Sequence, residues 1–112
     1  MKEFNKLVRD LIPDIIRGNG EFCETEILSD EQFLIELNTK LNEEVAEYLQ
    51  SGEIEELADI LEVIYALLNV RGLTFNDLEN LRQKKANKRG AFEKKIFLKT
   101  TKTKEELEEK SF

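Results

Sequence analysis

Two apolar stripes of helical period, separated by one short break, decide what this chain can fold into. Phe33, Leu34, Leu37, Leu41, Val45 and Tyr48 recur at three- and four-residue steps, the spacing of one helix face. Ser29 and Gln32 have the Ser-x-x-Gln spacing of a helix start, so the pattern predicts a helix from about Asp30 to Gln50. Ser51-Gly52 interrupts it. A second stripe follows over Glu53 to Val70, carried by Ile54, Leu57, Ile60, Leu61, Val63, Ile64, Leu67 and Leu68. That stripe is wide, which predicts a helix buried on much of its surface. Two such helices joined by a break this short fold back as an antiparallel hairpin.

The flanking segments are weaker. Pro13 suits a first helical turn, so a short helix is predicted from about Pro13 to Arg17, stopped by Gly18-Asn19-Gly20. Glu24 to Leu28 reads as a short extended piece. Thr74 with Asp77 resembles an N-terminal cap, and a helix then runs to about Arg89, where Gly90 ends it. Ile96-Phe97-Leu98 reads as a strand or an extended arm. Thr103 with Glu106 predicts a last short helix to Glu109, the alternative being a disordered tail. The expected organisation is one all-α domain over residues 1–99, with residues 100–112 as a charged tail.

Composition excludes several classes of function. The net charge is −7, and an acidic chain repels phosphate backbones, so a nucleic-acid polymer is not an expected partner. A nucleotide remains possible because a bound cation inverts the local field. There is no histidine and one cysteine, Cys23. That removes histidine chemistry, an internal disulfide and most zinc sites together. Met1 to Phe4 leads into a charged segment without an apolar signal core, and no apolar run approaches membrane-spanning length. A cytoplasmic protein is expected.

Four carboxylates interrupt the two stripes in a matched way. On a wheel of 100° per residue, Glu44 lies about 20° from Leu37 and 40° from Tyr48, at the border of the first stripe. Glu56 lies about 20° from Val63 and Leu67, inside the second, while Glu47 and Asp59 sit at the edges. A carboxylate in an apolar stripe is costly unless something neutralises it. The same i, i+3 spacing recurs on both helices, and Glu44 and Asp59 are equally far from the break, as are Glu47 and Glu56. A hairpin would bring all four to one level, roughly 7–11 Å from the turn. Four like charges cannot share that level unpaired. All-oxygen ligands point to Mg2+, with Mn2+ as the alternative. The plainer reading is a helix pair with ordinary surface glutamates, and Glu43, Glu53, Glu55 and Glu62 fit that description better. Glu62 also has a weaker claim to a supporting role at the site.

Cations concentrate elsewhere. Arg82, Lys84, Lys85, Lys88, Arg89, Lys94 and Lys95 follow closely in an acidic chain, and Lys85, Lys88 and Arg89 share a helix face. The helix macrodipole favours cations near a C-terminus and accounts for some of them. The other reading is phosphate binding. Lys6 and Arg9 form a second, smaller basic pair.

Glu44-x-x-Glu47 followed by Glu56-x-x-Asp59 resembles the paired motif of the MazG-like all-α NTP pyrophosphohydrolases, the superfamily that includes phosphoribosyl-ATP pyrophosphohydrolase. The opening Lys6-Leu7-Val8-Arg9-Asp10-Leu11-Ile12-Pro13 and the later Lys85-Ala86-Asn87-Lys88-Arg89-Gly90-Ala91-Phe92 resemble a small bacterial and phage subgroup of it. The resemblance runs from about residue 5 to 98. The chain departs from the pattern in three places: the stretch between the carboxylate pairs is short, Leu11 replaces a basic residue, and Ala91 replaces a glycine. The resemblance implies a four-helix-bundle-type MazG-like fold whose core is completed in a dimer or tetramer. It also implies Mg2+-dependent cleavage of a nucleotide between the α- and β-phosphates. Glu44, Glu47, Glu56 and Asp59 would hold the metal, and Glu44 or Glu47 would orient the attacking water or take its proton. Lys6, Arg9, Lys85, Lys88 and Arg89 would hold phosphate. Two other readings stand beside it: a phosphoribosyl-ATP pyrophosphohydrolase of histidine synthesis, and a non-catalytic helical oligomerisation or regulatory protein.

Overall fold

The computed structural model describes residues 1–109. Five helices follow in order: α1 (Ile12–Gly18), α2 (Asp30–Ser51), α3 (Ile54–Val70), α4 (Phe75–Arg89) and α5 (Lys104–Glu109). No strand occurs among the described residues, so the chain is all-α. Glu24 to Leu28 and Ile96 to Leu98 are irregular and form no ladder. The last three residues of the expected charged tail lie outside the described residues. The chain divides into two compact units, Met1–Leu78 and Glu79–Phe112, so the division falls inside α4.

The first unit is built on the hairpin. Ser29 is extended and its hydroxyl accepts a hydrogen bond from the Gln32 backbone N–H at 3.2 Å, starting α2. Only half of the expected capping box forms, because the Gln32 side chain turns forward and donates to Glu36. Gly52 ends α2 in the left-handed region, φ 68°, with its N–H on the Tyr48 carbonyl. A side chain is strained there, whereas glycine is not. The Ser51 hydroxyl accepts from the Glu53 N–H, and α3 starts one residue later. The break at Ser51-Gly52 is therefore a tight reversal, and α2 and α3 form the principal packed pair of helices.

Leu37 (4% exposed) and Val63 (7%) are the buried apolar residues of this hairpin. Around them Phe33, Leu34, Leu41, Ile60, Ile64 and Leu67 are only half-buried. The Tyr65 and Phe75 rings pack with centroids 5.3 Å apart. Val45, Leu49, Ile54, Leu57 and Leu61 remain exposed. The core is small for a stripe of this width.

α1 carries Pro13 in its first turn, where the missing N–H costs nothing. α4 opens on a complete reciprocal cap. The Thr74 N–H donates to Asp77 Oδ2 at 2.8 Å and the Asp77 N–H donates to Thr74 Oγ1 at 3.2 Å. In the second unit, Gly90 ends α4 at φ 84°. α5 opens on Thr103, whose hydroxyl accepts from the Glu106 N–H.

Candidate metal centre

The hairpin brings the four carboxylates into one neighbourhood. Glu44, Glu56 and Asp59 can each offer an oxygen so that all three atoms lie within 4.8 Å of one another. Glu43, Glu44 and Glu47 form a second such group. Glu44 belongs to both and joins the two helices. The mirror spacing about Ser51-Gly52 has the consequence expected of an antiparallel pair.

Burial differs among the four. Glu44 is 8% exposed, Glu56 and Asp59 are half-buried, and Glu47 is exposed. The wheel placed Glu56 deeper in its stripe than Glu44. Depth along the hairpin reverses that order: Glu56 lies in the first turn of α3, beside the reversal, where fewer neighbours cover it. The macrodipole favours Glu56 at a helix N-terminus. It opposes Glu47, which stands near the C-terminus of α2, so helix stability does not explain Glu47.

Electrostatics at Glu44 are unbalanced. Its Oε1 lies 3.6 Å from the Lys40 ammonium, while its Oε2 is buried without a hydrogen-bond partner. Burial pushes the Glu44 carboxyl above the usual glutamate range; the nearby Glu47 carboxylate adds to this, and Asp59 adds further. Lys40 opposes the shift without cancelling it. The Glu56 carboxyl is also raised, first by loss of solvent and then by the charges of Glu47 and Asp59. Glu44 and Glu56 thus each feel a carboxylate across the hairpin.

The surrounding cations are specific. Arg9 Nη2 donates to Asp59 Oδ1 at 2.7 Å, which ties the N-terminal segment to α3. Lys6 Nζ lies 3.4 Å from Glu43 Oε1, and Lys40 Nζ lies 3.3 Å from the same oxygen. Lys40 and Glu43 were not singled out by the sequence pattern. Glu43 read as a solvated residue, yet it is half-buried and belongs to the acidic group. The i, i+4 spacing of Lys40 and Glu44 was the available signal. Glu62 is exposed and in neither acidic group among the described residues.

This donor set suits a hard divalent cation. The ligands are oxygens only, they come from two rigid helices, and one buried oxygen lacks any partner. Mg2+ accepts carboxylate oxygens and retains waters. Glu47, Glu56 and Asp59 retain access to solvent, so the geometry is compatible with that preference.

Lys85, Lys88 and Arg89 lie in the second unit, on α4. Lys85 and Arg89 line a cleft of about 510 Å3, and Lys88 does not. Arg82 also lines it.

Comparisons with known proteins add little to this geometry. No protein-family profile matches the chain, and no solved structure matches it. A stretch of 53 residues is 48% identical to a protein of Mycolicibacterium smegmatis described as an uncharacterized protein. The match covers 47% of this chain and 53% of the other, so the chain spans about half the length of the curated relative it matches. Nothing in that description specifies an activity.

Proposed function

We infer that the chain is a Mg2+-dependent nucleotide pyrophosphohydrolase with a MazG-like fold, cleaving between the α- and β-phosphates to give a monophosphate and pyrophosphate. The observation that carries the metal half of this reading is the buried, unpartnered Oε2 of Glu44 at the junction of two carboxylate groups. A charged oxygen in that position is costly without a cation. The nucleotide half rests on the order of motifs along the sequence.

Glu44, Glu56 and Asp59 would hold the ion, with Glu47 completing the set. Mg2+, when bound, supplies positive charge that polarises phosphate oxygens. Glu47 is the exposed member, so it is the carboxylate with room to orient a water and take its proton. Glu44 is enclosed and suits a ligand better than a proton carrier. Arg9 and Lys6 already reach this cluster, on Asp59 and Glu43. Either can turn to a phosphate once a cation occupies the carboxylates. Lys85, Lys88 and Arg89 enter the reading through their sequence pattern.

The exposed Val45, Leu49, Ile54, Leu57 and Leu61 favour a second element. A hairpin with two buried apolar residues and a row of exposed ones is incomplete alone. We infer a second copy of the chain as the cover, giving a dimer or tetramer that works in the cytoplasm on the nucleotide pool.

Purified protein incubated with a nucleotide panel, with and without Mg2+, tests the activity by release of pyrophosphate. Release that needs Mg2+ and is lost in Glu56→Gln is the expected result. No release from any nucleotide sinks it. Preference for phosphoribosyl-ATP would move the enzyme to histidine synthesis. Mg2+-dependent stabilisation without turnover would favour the non-catalytic oligomerisation protein.

A further inference from the structure

Lys6 and Arg9 pair with carboxylates in a way that local geometry does not force. Lys40–Glu43, Lys40–Glu44 and Arg82–Glu79 each lie within one helix turn, where the helix itself brings the partners together. Lys6–Glu43 and Arg9–Asp59 close gaps of 37 and 50 residues. The two pairs also end on different helices, Glu43 on α2 and Asp59 on α3. One short stretch of irregular chain therefore grips both halves of the hairpin. It does so at the level of Glu44, which follows Glu43 in sequence and shares an acidic group with Asp59 across the hairpin.

The rest of this stretch is lightly held. Asn5 bends the chain at φ 46°, a conformation that asparagine adopts more readily than most residues. Among residues 1–10, Leu7 alone is half-buried, and it stands between the two cations; the others are exposed. The Ile12 N–H donates to the Arg9 carbonyl at 3.0 Å and opens the turn into α1. Asn5 to Arg9 is thus fixed by one apolar side chain and two ion pairs. The Lys6 and Arg9 side chains are 42% and 57% exposed, and pairs this open contribute little each. Because both belong to one segment, loss of either lowers the effective concentration of the other.

We propose that residues 5–9 are a strap latched across the two helices of the carboxylate cluster, and that a divalent cation entering the cluster releases it. Arg9 brings one positive charge to Asp59 Oδ1 at 2.7 Å. Mg2+ brings two charges to a carboxylate at about 2.1 Å. An ion shared by Glu44, Glu56 and Asp59 weakens the hold of the guanidinium on Asp59 and repels it as well. Lys6 meets the same repulsion through Glu43, which shares an acidic group with Glu44. With both pairs weakened, Leu7 alone does not keep the segment in place. The strap and the cluster then form one switch, whose signal is a dication and whose output is the freedom of Lys6, Leu7 and Arg9. The dication rests on the metal half of the proposed function; the two long-range ion pairs do not.

The test is NMR relaxation of the full isotope-labelled chain in EDTA and in saturating Mg2+, with Mg2+ binding measured by calorimetry on the same protein. In EDTA the amides of residues 6–9 should have order parameters close to those of the helices, about 0.85. Mg2+ should lower them below about 0.6, and NaCl at matched ionic strength should not. Lys6→Gln/Arg9→Gln should show the lowered values already in EDTA. Lys2→Gln, a charge loss in the same segment outside the two pairs, should behave as wild type. Mg2+ binding that leaves residues 6–9 unchanged overturns the strap and spares the metal site. An equal effect of NaCl overturns it too, because screening alone would then suffice. So does a segment already mobile in wild type in EDTA. Absence of Mg2+ binding overturns the cation control together with the metal site. Pyrophosphate release is followed in parallel, and a strap released by Mg2+ without turnover supports the switch and defeats the hydrolase alone.

Discussion

Glu44→Gln should stabilise the protein in EDTA and destabilise it, relative to wild type, in Mg2+. The substitution keeps shape and removes one charge. In wild type, Glu44 Oε2 is buried without a partner, which costs about 1–3 kcal/mol for an unsatisfied group. Glu47 and Asp59 repel the same carboxylate. Glutamine removes the repulsion, and its amide can donate to either neighbour. The loss is the Lys40 contact at 3.6 Å, about 0.5 kcal/mol for an i, i+4 pair. The net gain is on the order of 1 kcal/mol, or about 4 °C in Tm for a domain of this size. Mg2+ at a hundred times its Kd would stabilise wild type by about 2.7 kcal/mol. A variant that has lost its central ligand should respond far less, so the order of stabilities inverts. Thermal unfolding followed by circular dichroism measures both arms. A variant less stable than wild type in EDTA would refute the claim that Glu44 is an unneutralised buried charge. Equal Mg2+ shifts in both proteins would refute its role as a ligand.

The same carboxyl predicts a pH dependence. The folded Glu44 and Glu56 carboxyls titrate above the ordinary value of 4.5, so the native state holds these protons more tightly than the unfolded chain does. Their contribution to stability is therefore present in full below 4.5 and is lost as pH rises through the raised folded values. The advantage of Glu44→Gln in EDTA should shrink as the pH is lowered from neutral towards 4.5, and an advantage that grows would contradict the assigned direction. Arg9→Gln should tighten Mg2+ binding a few-fold in the absence of nucleotide, because the Arg9 guanidinium competes for Asp59 Oδ1; calorimetric titration reads this, and weaker Mg2+ binding would show that Arg9 positions Asp59 instead. Gly52→Ala should cost about 1–2 kcal/mol in denaturant unfolding. An added Cβ meets nothing within 4 Å, so the cost is backbone strain alone, and a neutral result would mean the reversal can relax. Thr74→Ala should cost about 1 kcal/mol by removing the hydroxyl acceptor of the α4 cap, with the loss read from the same denaturation curves.

What the sequence disclosed was what repeats locally. The two stripes located α2 and α3 to within a residue or so, because a helix face repeats every three to four residues and Ser29 and Gly52 mark the ends with chemistry of their own. Neighbourhood across the hairpin was legible for the same reason: equal distances from one reversal imply one level. Relative burial was not. A wheel projects along the helix axis and discards depth, so it ranked Glu56 above Glu44. The structure makes the more remote residue the enclosed one. Partnership with residues distant in sequence was equally hidden. Arg9 and Asp59 are 50 positions apart, and no periodicity links them. That pair changes how Arg9 must be understood. A guanidinium on Asp59 Oδ1 brings positive charge to the edge of the cluster and ties the N-terminal segment to α3. On the proposed metal-site reading, an incoming cation and Arg9 would compete for the same Asp59 oxygen. Arg9 offsets part of the charge at Asp59 but makes no ion pair with Glu44, whose Oε2 stays buried without a partner, so the strain of the cluster is concentrated on the one carboxylate that the sequence wheel ranked lower.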